Sequence, residues 1–178
     1  MSRPSPDLTL YLVLDPLLVG PRGLEAVLRA ALAGGVTAVQ LRDKQASRAQ
    51  FLERARQIQA VLRGRGVPLI INDRVDVAVE LGADGVHVGQ GDVAVSEVRR
   101  LIGPTPLVGL SVSCASEVDE ANSPLVDYIG LGPIFPTETK LDTPAALGLD
   151  AVRNFTSRLS LPVVAIGGIH VGNATSVI

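Results

Sequence analysis

Asp73 and Asp92 stand just beyond two short apolar runs, Leu69 to Asn72 and Gly85 to Val88, and neither lies in a helix body where solubility alone would explain it. Two carboxylates at neighbouring strand ends suit Mg2+, which takes one or two protein carboxylates, keeps waters and completes its octahedron with substrate phosphates. Each aspartate has a second reading as the cap of the helix that follows, from Val75 and from Val95. The pairing of the two favours the metal.

Arg42, Lys44 and Lys140 bring cations to the ends of the second and sixth apolar runs. A magnesium-bound diphosphate needs such partners, Arg as a two-donor fork and Lys as a mobile point charge. A lone surface cation is usually just solvated, but here three coincide with strand ends. The segment Pro133 to Lys140 follows Gly130 and Gly132 and carries hydroxyls able to bind a phosphate, while Gly167-Gly168 lets backbone donors approach a second one. Two phosphate-sized sites imply two phosphorylated ligands. Asn72 and Ser111 are neutral groups suited to orienting a heterocycle, although Asn72 also fits a role in its own turn. His87, inside a strand, reads as a satisfied packing residue. Cys114 reads as a small buried hydrophobe.

These residues need a frame that gathers them. Seven apolar runs, Thr9 to Leu14, Ala38 to Leu41, Leu69 to Asn72, Gly85 to Val88, Leu107 to Ser111, Tyr128 to Gly132 and Val163 to Ile166, alternate with amphipathic segments, the pattern of parallel strands covered by helices. The helices are expected at Leu24 to Leu32, Phe51 to Arg63, Val75 to Leu81, Val95 to Leu101, Ser116 to Ala121 and Leu149 to Leu159. Gly-containing turns lead into several strands, and polar residues crowd the far ends. In a closed barrel those far ends converge on one mouth. A doubly wound sheet competes, but no Gly-x-Gly-x-x-Gly follows the first strand. The expected class is α/β, a (β/α)8 TIM barrel.

The chain has 178 residues, 47% of them hydrophobic, which predicts one domain with a sizeable core. A net charge of −2 recommends neither nucleic acid nor an anionic membrane. No apolar stretch reaches the ~20 residues of a membrane span. A single Cys suits the reducing cytoplasm.

The motifs Gly35-Val36-Thr37-Ala38-Val39-Gln40-Leu41-Arg42-Asp43-Lys44, Ile71-Asn72-Asp73-Arg74, Ala83 to Gln90, Gly132 to Lys140 and Ala165 to Ile169 occur in order along one chain. With them the sequence resembles the thiamine phosphate synthase family, from about Leu10 to the last residue. The resemblance implies a barrel that joins hydroxymethylpyrimidine diphosphate to hydroxyethylthiazole phosphate, giving thiamine phosphate and pyrophosphate. It implies a dissociative course in which diphosphate leaves first and the thiazole nitrogen attacks the resulting carbocation. It places the pyrimidine diphosphate on Gln40, Leu41, Arg42, Asp43, Lys44, Asn72, Ser111 and Lys140. The thiazole phosphate falls to Thr137, Glu138, Thr139 and Gly168, and Mg2+ to Asp73 and Asp92. Such chemistry needs charge stabilisation and positioning more than a strong base or a nucleophile.

Three other readings compete. A thiazole tautomerase shares the fold but uses a His in the loop after the sixth strand, where Pro133 and Ile134 stand here. A non-catalytic barrel binding the same precursors has no need to keep Asp73, Asp92 and Lys140. An aldolase needs a Schiff-base Lys on a strand, and the only lysines, Lys44 and Lys140, fall in loops. Against the family pattern the eighth strand and helix are absent from this sequence, so the expectation is a barrel incomplete at its C-terminal side.

Overall fold

The computed structural model describes residues 6–137 and 145–178, with the main chain alone at Glu120. Seven strands run in chain order through one parallel sheet: β1 (Tyr11–Leu14), β2 (Ala38–Leu41), β3 (Leu69–Asn72), β4 (Gly85–Val88), β5 (Leu107–Val112), β6 (Tyr128–Leu131) and β7 (Val163–Ala165). Between them lie α1 (Pro16–Val19), α2 (Leu24–Ala33), α3 (Arg48–Leu62), α4 (Val75–Leu81), α5 (Val95–Ile102), α6 (Ala115–Ala121) and α7 (Gly148–Thr156). Every neighbouring strand pair is parallel, and each crossover carries at least one helix.

The alternation of side chains along each strand divides the core in two. Val39, Leu41, Leu69, Ile71, Val86, Val88, Val108, Leu110, Ile129 and Leu131 join the helix residues Leu28, Phe51, Ile58 and Val98 in one buried cluster. Ile70, Leu107 and Tyr128 form a second, with Tyr11 and Val164 packed against it. The first set faces the helices and the second faces inward. In a flat sheet β1 and β6 would lie five strand spacings apart, about 24 Å. Instead the hydroxyls of Tyr11 and Tyr128 meet at 2.8 Å, so the sheet curls round until its first and sixth strands face each other. The described residues thus form a nearly closed TIM-like barrel of seven strands, without an eighth unit among them.

The element bounds follow local chemistry. α3 starts at Arg48 rather than at the expected Phe51 because Ser47 and Gln50 form a reciprocal capping box, worth about 1 kcal/mol. α1 was not expected at all: Asp15 caps it by accepting the Leu17 N–H at 3.0 Å, and Pro16 opens it. β1 begins at Tyr11, two residues later than expected, with Thr9 N–H turned to the Asp7 carboxylate instead. Cys114 corrects another expectation. It is exposed, beside Ser116 in the loop that opens α6, because the strand's apolar alternation has already ended.

Candidate active site

The C-terminal strand ends are stitched to one another around the barrel mouth. Between β1 and β2, Arg42 Nη1 donates to the Asp15 carboxylate at 2.8 Å. Lys44, beyond β2, pairs with Asp73 beyond β3. Between β4 and β5, Gln90 Nε2 donates to the Ser111 carbonyl at 2.8 Å. Between β6 and β7, Ile134 and Phe135 donate their N–H groups to the carbonyls of Ile166 and Gly167 at 2.9 and 3.0 Å. The residues thus gathered are distant in sequence and adjacent in space.

The loop bearing Lys44 is rigidly built. Asp43, 5% exposed, spends its carboxylate on Arg54 and on the N–H groups of Gln45 and Ala46. Arg74 donates to the Ala46 carbonyl, and its guanidinium lies 4.9 Å from the centre of the Phe51 ring. Asp43 therefore shapes the loop, and the Leu41 side chain packs against the helices, so Leu41 can offer a ligand only its main chain. Arg42 and Lys44 are the cations of this turn, Arg42 part-buried against Asp15 and Lys44 exposed beside Asp73.

Asp73 and Asp92 are not helix caps. α4 is preceded by Arg74 and α5 by Ala94, and neither N-terminus receives a side-chain hydrogen bond. Asp73 instead accepts from Asn72 Nδ2 at 2.7 Å and pairs with Lys44, while Asp92 accepts the Gly89 N–H at 2.7 Å. Asp73 adopts φ +59°, in the left-handed region. Burial raises the Asp73 carboxyl above its usual range, Lys44 pulls it down and the nearby Asp92 carboxylate pushes it up. Two carboxylates held close enough to oppose each other's charge fit a hard dication, which would relieve that repulsion. Among the described residues no group of three or more His, Cys, Asp and Glu converges, as a closed site for a softer metal requires.

Beneath the mouth, polar side chains occupy the barrel interior. His87, 7% exposed, hydrogen bonds through Nε2 to Ser111 Oγ at 2.9 Å and through Nδ1 to the Tyr128 hydroxyl at 3.0 Å. Gln40 Nε2 donates to the Tyr11 hydroxyl at 2.8 Å. Burial pushes the Tyr11 hydroxyl up to about 12, and burial together with Tyr11 pushes Tyr128 up as well. His87 is a satisfied interior residue, as its strand position suggested, yet it touches Ser111. The Asn72 amide also bonds the His87 carbonyl at 3.3 Å. Gly168, at φ +66°, lies so close to Pro136 and Phe135 that a Cβ would meet them at 2.6 and 2.8 Å, which brings the β7 end against the loop leading to Thr137. Glu138, Thr139 and Lys140 lie outside the described residues.

Residues 10–178 match the thiamine monophosphate synthase family. The chain belongs to that family. It is 47% identical to the thiamine-phosphate synthase of Albidiferax ferrireducens over 96% of its own length and 78% of the relative's. With that of Chloroflexus aurantiacus it shares 49%, over 96% and 79% of the two chains. The thiamine phosphate pyrophosphorylase structure from Pyrococcus furiosus superposes with a TM-score of 0.83 at 35% identity, over 96% of this chain and 80% of that one. The family's fold is therefore the barrel described above.

Proposed function

We propose that the chain is a thiamine-phosphate synthase, a transferase that condenses hydroxymethylpyrimidine diphosphate with hydroxyethylthiazole phosphate to give thiamine phosphate and pyrophosphate. The observation that carries the reading is the juxtaposition of Lys44, Asp73 and Asp92 at three successive strand ends, beside a polar-lined interior. A diphosphate needs cations and a metal, and a heterocycle needs neutral hydrogen-bonding groups; this mouth offers both.

In this reading Asp73 and Asp92 hold Mg2+. Bound there, the ion would take up the negative charge that gathers on the departing diphosphate. Arg42 and Lys44 grip the diphosphate oxygens, joined by Lys140 from the sixth loop. Asp15 keeps the Arg42 fork aimed, since a buried carboxylate 2.8 Å away restricts its rotamers. Gln40, Asn72 and Ser111 hold the pyrimidine ring. Thr137, Glu138, Thr139 and Gly168 hold the thiazole phosphate, placing its ring nitrogen to attack the carbocation left once the carbon–oxygen bond to diphosphate has broken. No side chain is asked to serve as nucleophile, so positioning and charge stabilisation supply the rate. The partners are small molecules, the setting the reducing cytoplasm.

Pyrophosphate release from the two substrates, with and without Mg2+, tests the reading. Asp92→Ala is expected to abolish magnesium-dependent turnover with the fold intact by circular dichroism. Unchanged turnover in that variant removes Asp92 from the metal site, and no turnover by the parent chain under any condition removes the synthase.

A further inference from the structure

Three residues for which the proposed reaction has no use, Tyr11, Tyr128 and His87, connect two that it does use. The line runs Gln40, Tyr11, Tyr128, His87, Ser111, with successive distances of 2.8, 2.8, 3.0 and 2.9 Å, and draws on β2, β1, β6, β4 and β5 in turn. TIM-barrel interiors are ordinarily filled by branched aliphatic side chains. Here space is cleared for the polar line instead: a Cβ on Gly109 would overlap both the Tyr128 ring and the His87 imidazole, and one on Gly130 would sit 2.8 Å from His87 Cε1.

The protons of the line follow from one end. An amide nitrogen only donates, so the Tyr11 oxygen accepts from Gln40 and its own proton passes to Tyr128. Tyr128 then donates to His87 Nδ1, which leaves the imidazole proton on Nε2, where it is donated to Ser111 Oγ. Ser111 retains its own proton for a ligand. Turning the Gln40 amide over reverses every bond, and Ser111 then spends its proton on His87. The faces that Gln40 and Ser111 show a ligand are therefore not independent. Burial holds both tyrosines as neutral hydroxyls across the physiological range, so neither end can be uncoupled by their ionisation.

We propose that Tyr11, Tyr128 and His87 form a proton-ordered positioning relay that fixes Gln40 as acceptor and Ser111 as donor toward a heterocyclic ligand. The ligand's identity as an aminopyrimidine rests on the function proposed above, whereas the relay itself does not.

The sequence contains two histidines, so 15N-histidine labelling of the whole chain gives two imidazoles to assign, His87 and the exposed His170. At about pH 8, where an ordinary imidazole is neutral, the parent is expected to hold His87 in the Nε2–H tautomer alone, and Tyr128→Phe to mix the tautomers. Steady-state kinetics add a second reading. Tyr128→Phe should raise KM for the pyrimidine diphosphate about tenfold, with KM for the thiazole phosphate within about twofold, and should add nothing in a Ser111→Ala, Gln40→Ala background. An Nδ1–H tautomer in the parent overturns the relay, as does an equal rise in both KM values. If the parent turns over neither substrate, the synthase reading falls and the tautomer measurement still decides the relay.

Discussion

Arg42 Nη1 donates to the Asp15 carboxylate at 2.8 Å, and that carboxylate, 6% exposed, also accepts the N–H of Leu17. One side chain thereby starts α1 and aims the guanidinium proposed to hold diphosphate. The two roles separate by substitution. Asp15→Asn keeps an oxygen for the cap but removes the charge and turns an amide donor toward the guanidinium, so KM for the pyrimidine diphosphate should rise about three- to tenfold and stability should fall by about 1–3 kcal/mol. Asp15→Ala should show the same rise and lose about 1 kcal/mol more, the usual worth of a cap. Steady-state kinetics with urea melts on both variants check this, and a KM equal to the parent's in Asp15→Asn would show that Arg42 needs no anchor.

Asp73 has a pH signature. Burial and Asp92 raise its carboxyl above the ordinary 3.8 in the folded chain, against the pull of Lys44. Between those two values the folded chain holds a proton that the unfolded chain has released, so stability falls as pH rises through the window, and the full penalty is present above it. Asp73→Asn carries no such proton, and Asn tolerates the left-handed φ at this position. Relative to the parent, the variant should therefore gain stability as pH rises from about 4 and level off once Asp73 is fully ionised. Mg2+ should raise the Tm of the parent and leave that of Asp73→Asn unmoved. Thermal melts across this range decide it: a difference between the two proteins that stays constant with pH would place Asp73 at its ordinary value.

The sequence disclosed some parts of this arrangement and hid others for physical reasons. β2, β3, β4 and α4 fall where apolar runs and helical spacing put them, because each is a short segment buried on both faces or on one clear stripe. Asp73 and Lys44 were visible because a charge directly after a buried strand has few structural uses. The interior line was not visible: Tyr11 and Tyr128 stand 117 residues apart, and only the curl of the sheet makes them neighbours. Gln40 and His87 sit on different strands, so no local spacing ties them together. Asp15 looked like an interruption of an apolar run because its two partners, Leu17 and Arg42, exist only once α1 and β2 are formed.

Gly109 should be intolerant of even one methyl group. A Cβ there would overlap the Tyr128 ring and the His87 imidazole, both held by hydrogen bonds and both nearly inaccessible to solvent. Neither neighbour is a flexible tip that can swing aside. Gly109→Ala is expected to cost about 2 kcal/mol or more, a fall in Tm of roughly 4–8 °C, and to disturb the His87 tautomer along with it. Calorimetry of the variant measures this, and a melt within about a degree of the parent's would mean that the interior line shifts at little cost.

The opposite end of the barrel should behave as structure alone. Arg99, 9% exposed, donates from Nη1 to the carbonyls of Gly103 and Pro106 at 3.1 and 2.6 Å, and from Nη2 to the Leu125 carbonyl at 3.0 Å and Asp127 at 2.6 Å. Asp127 also accepts the Val108 N–H at 2.8 Å, so the pair ties the starts of β5 and β6 to the end of α5. Removing one partner of such a pair leaves the other charge buried, which ordinarily costs about 3–5 kcal/mol. Asp127→Ala should lose that much in urea melts, a large share of a typical domain's stability. These hydrogen bonds lie at the N-terminal strand ends, away from Lys44, Asp73 and Asp92. For the fraction that remains folded, kcat and both KM values should therefore stay within about twofold of the parent's. A selective loss of turnover in fully folded Asp127→Ala would show that the two ends of the barrel are coupled.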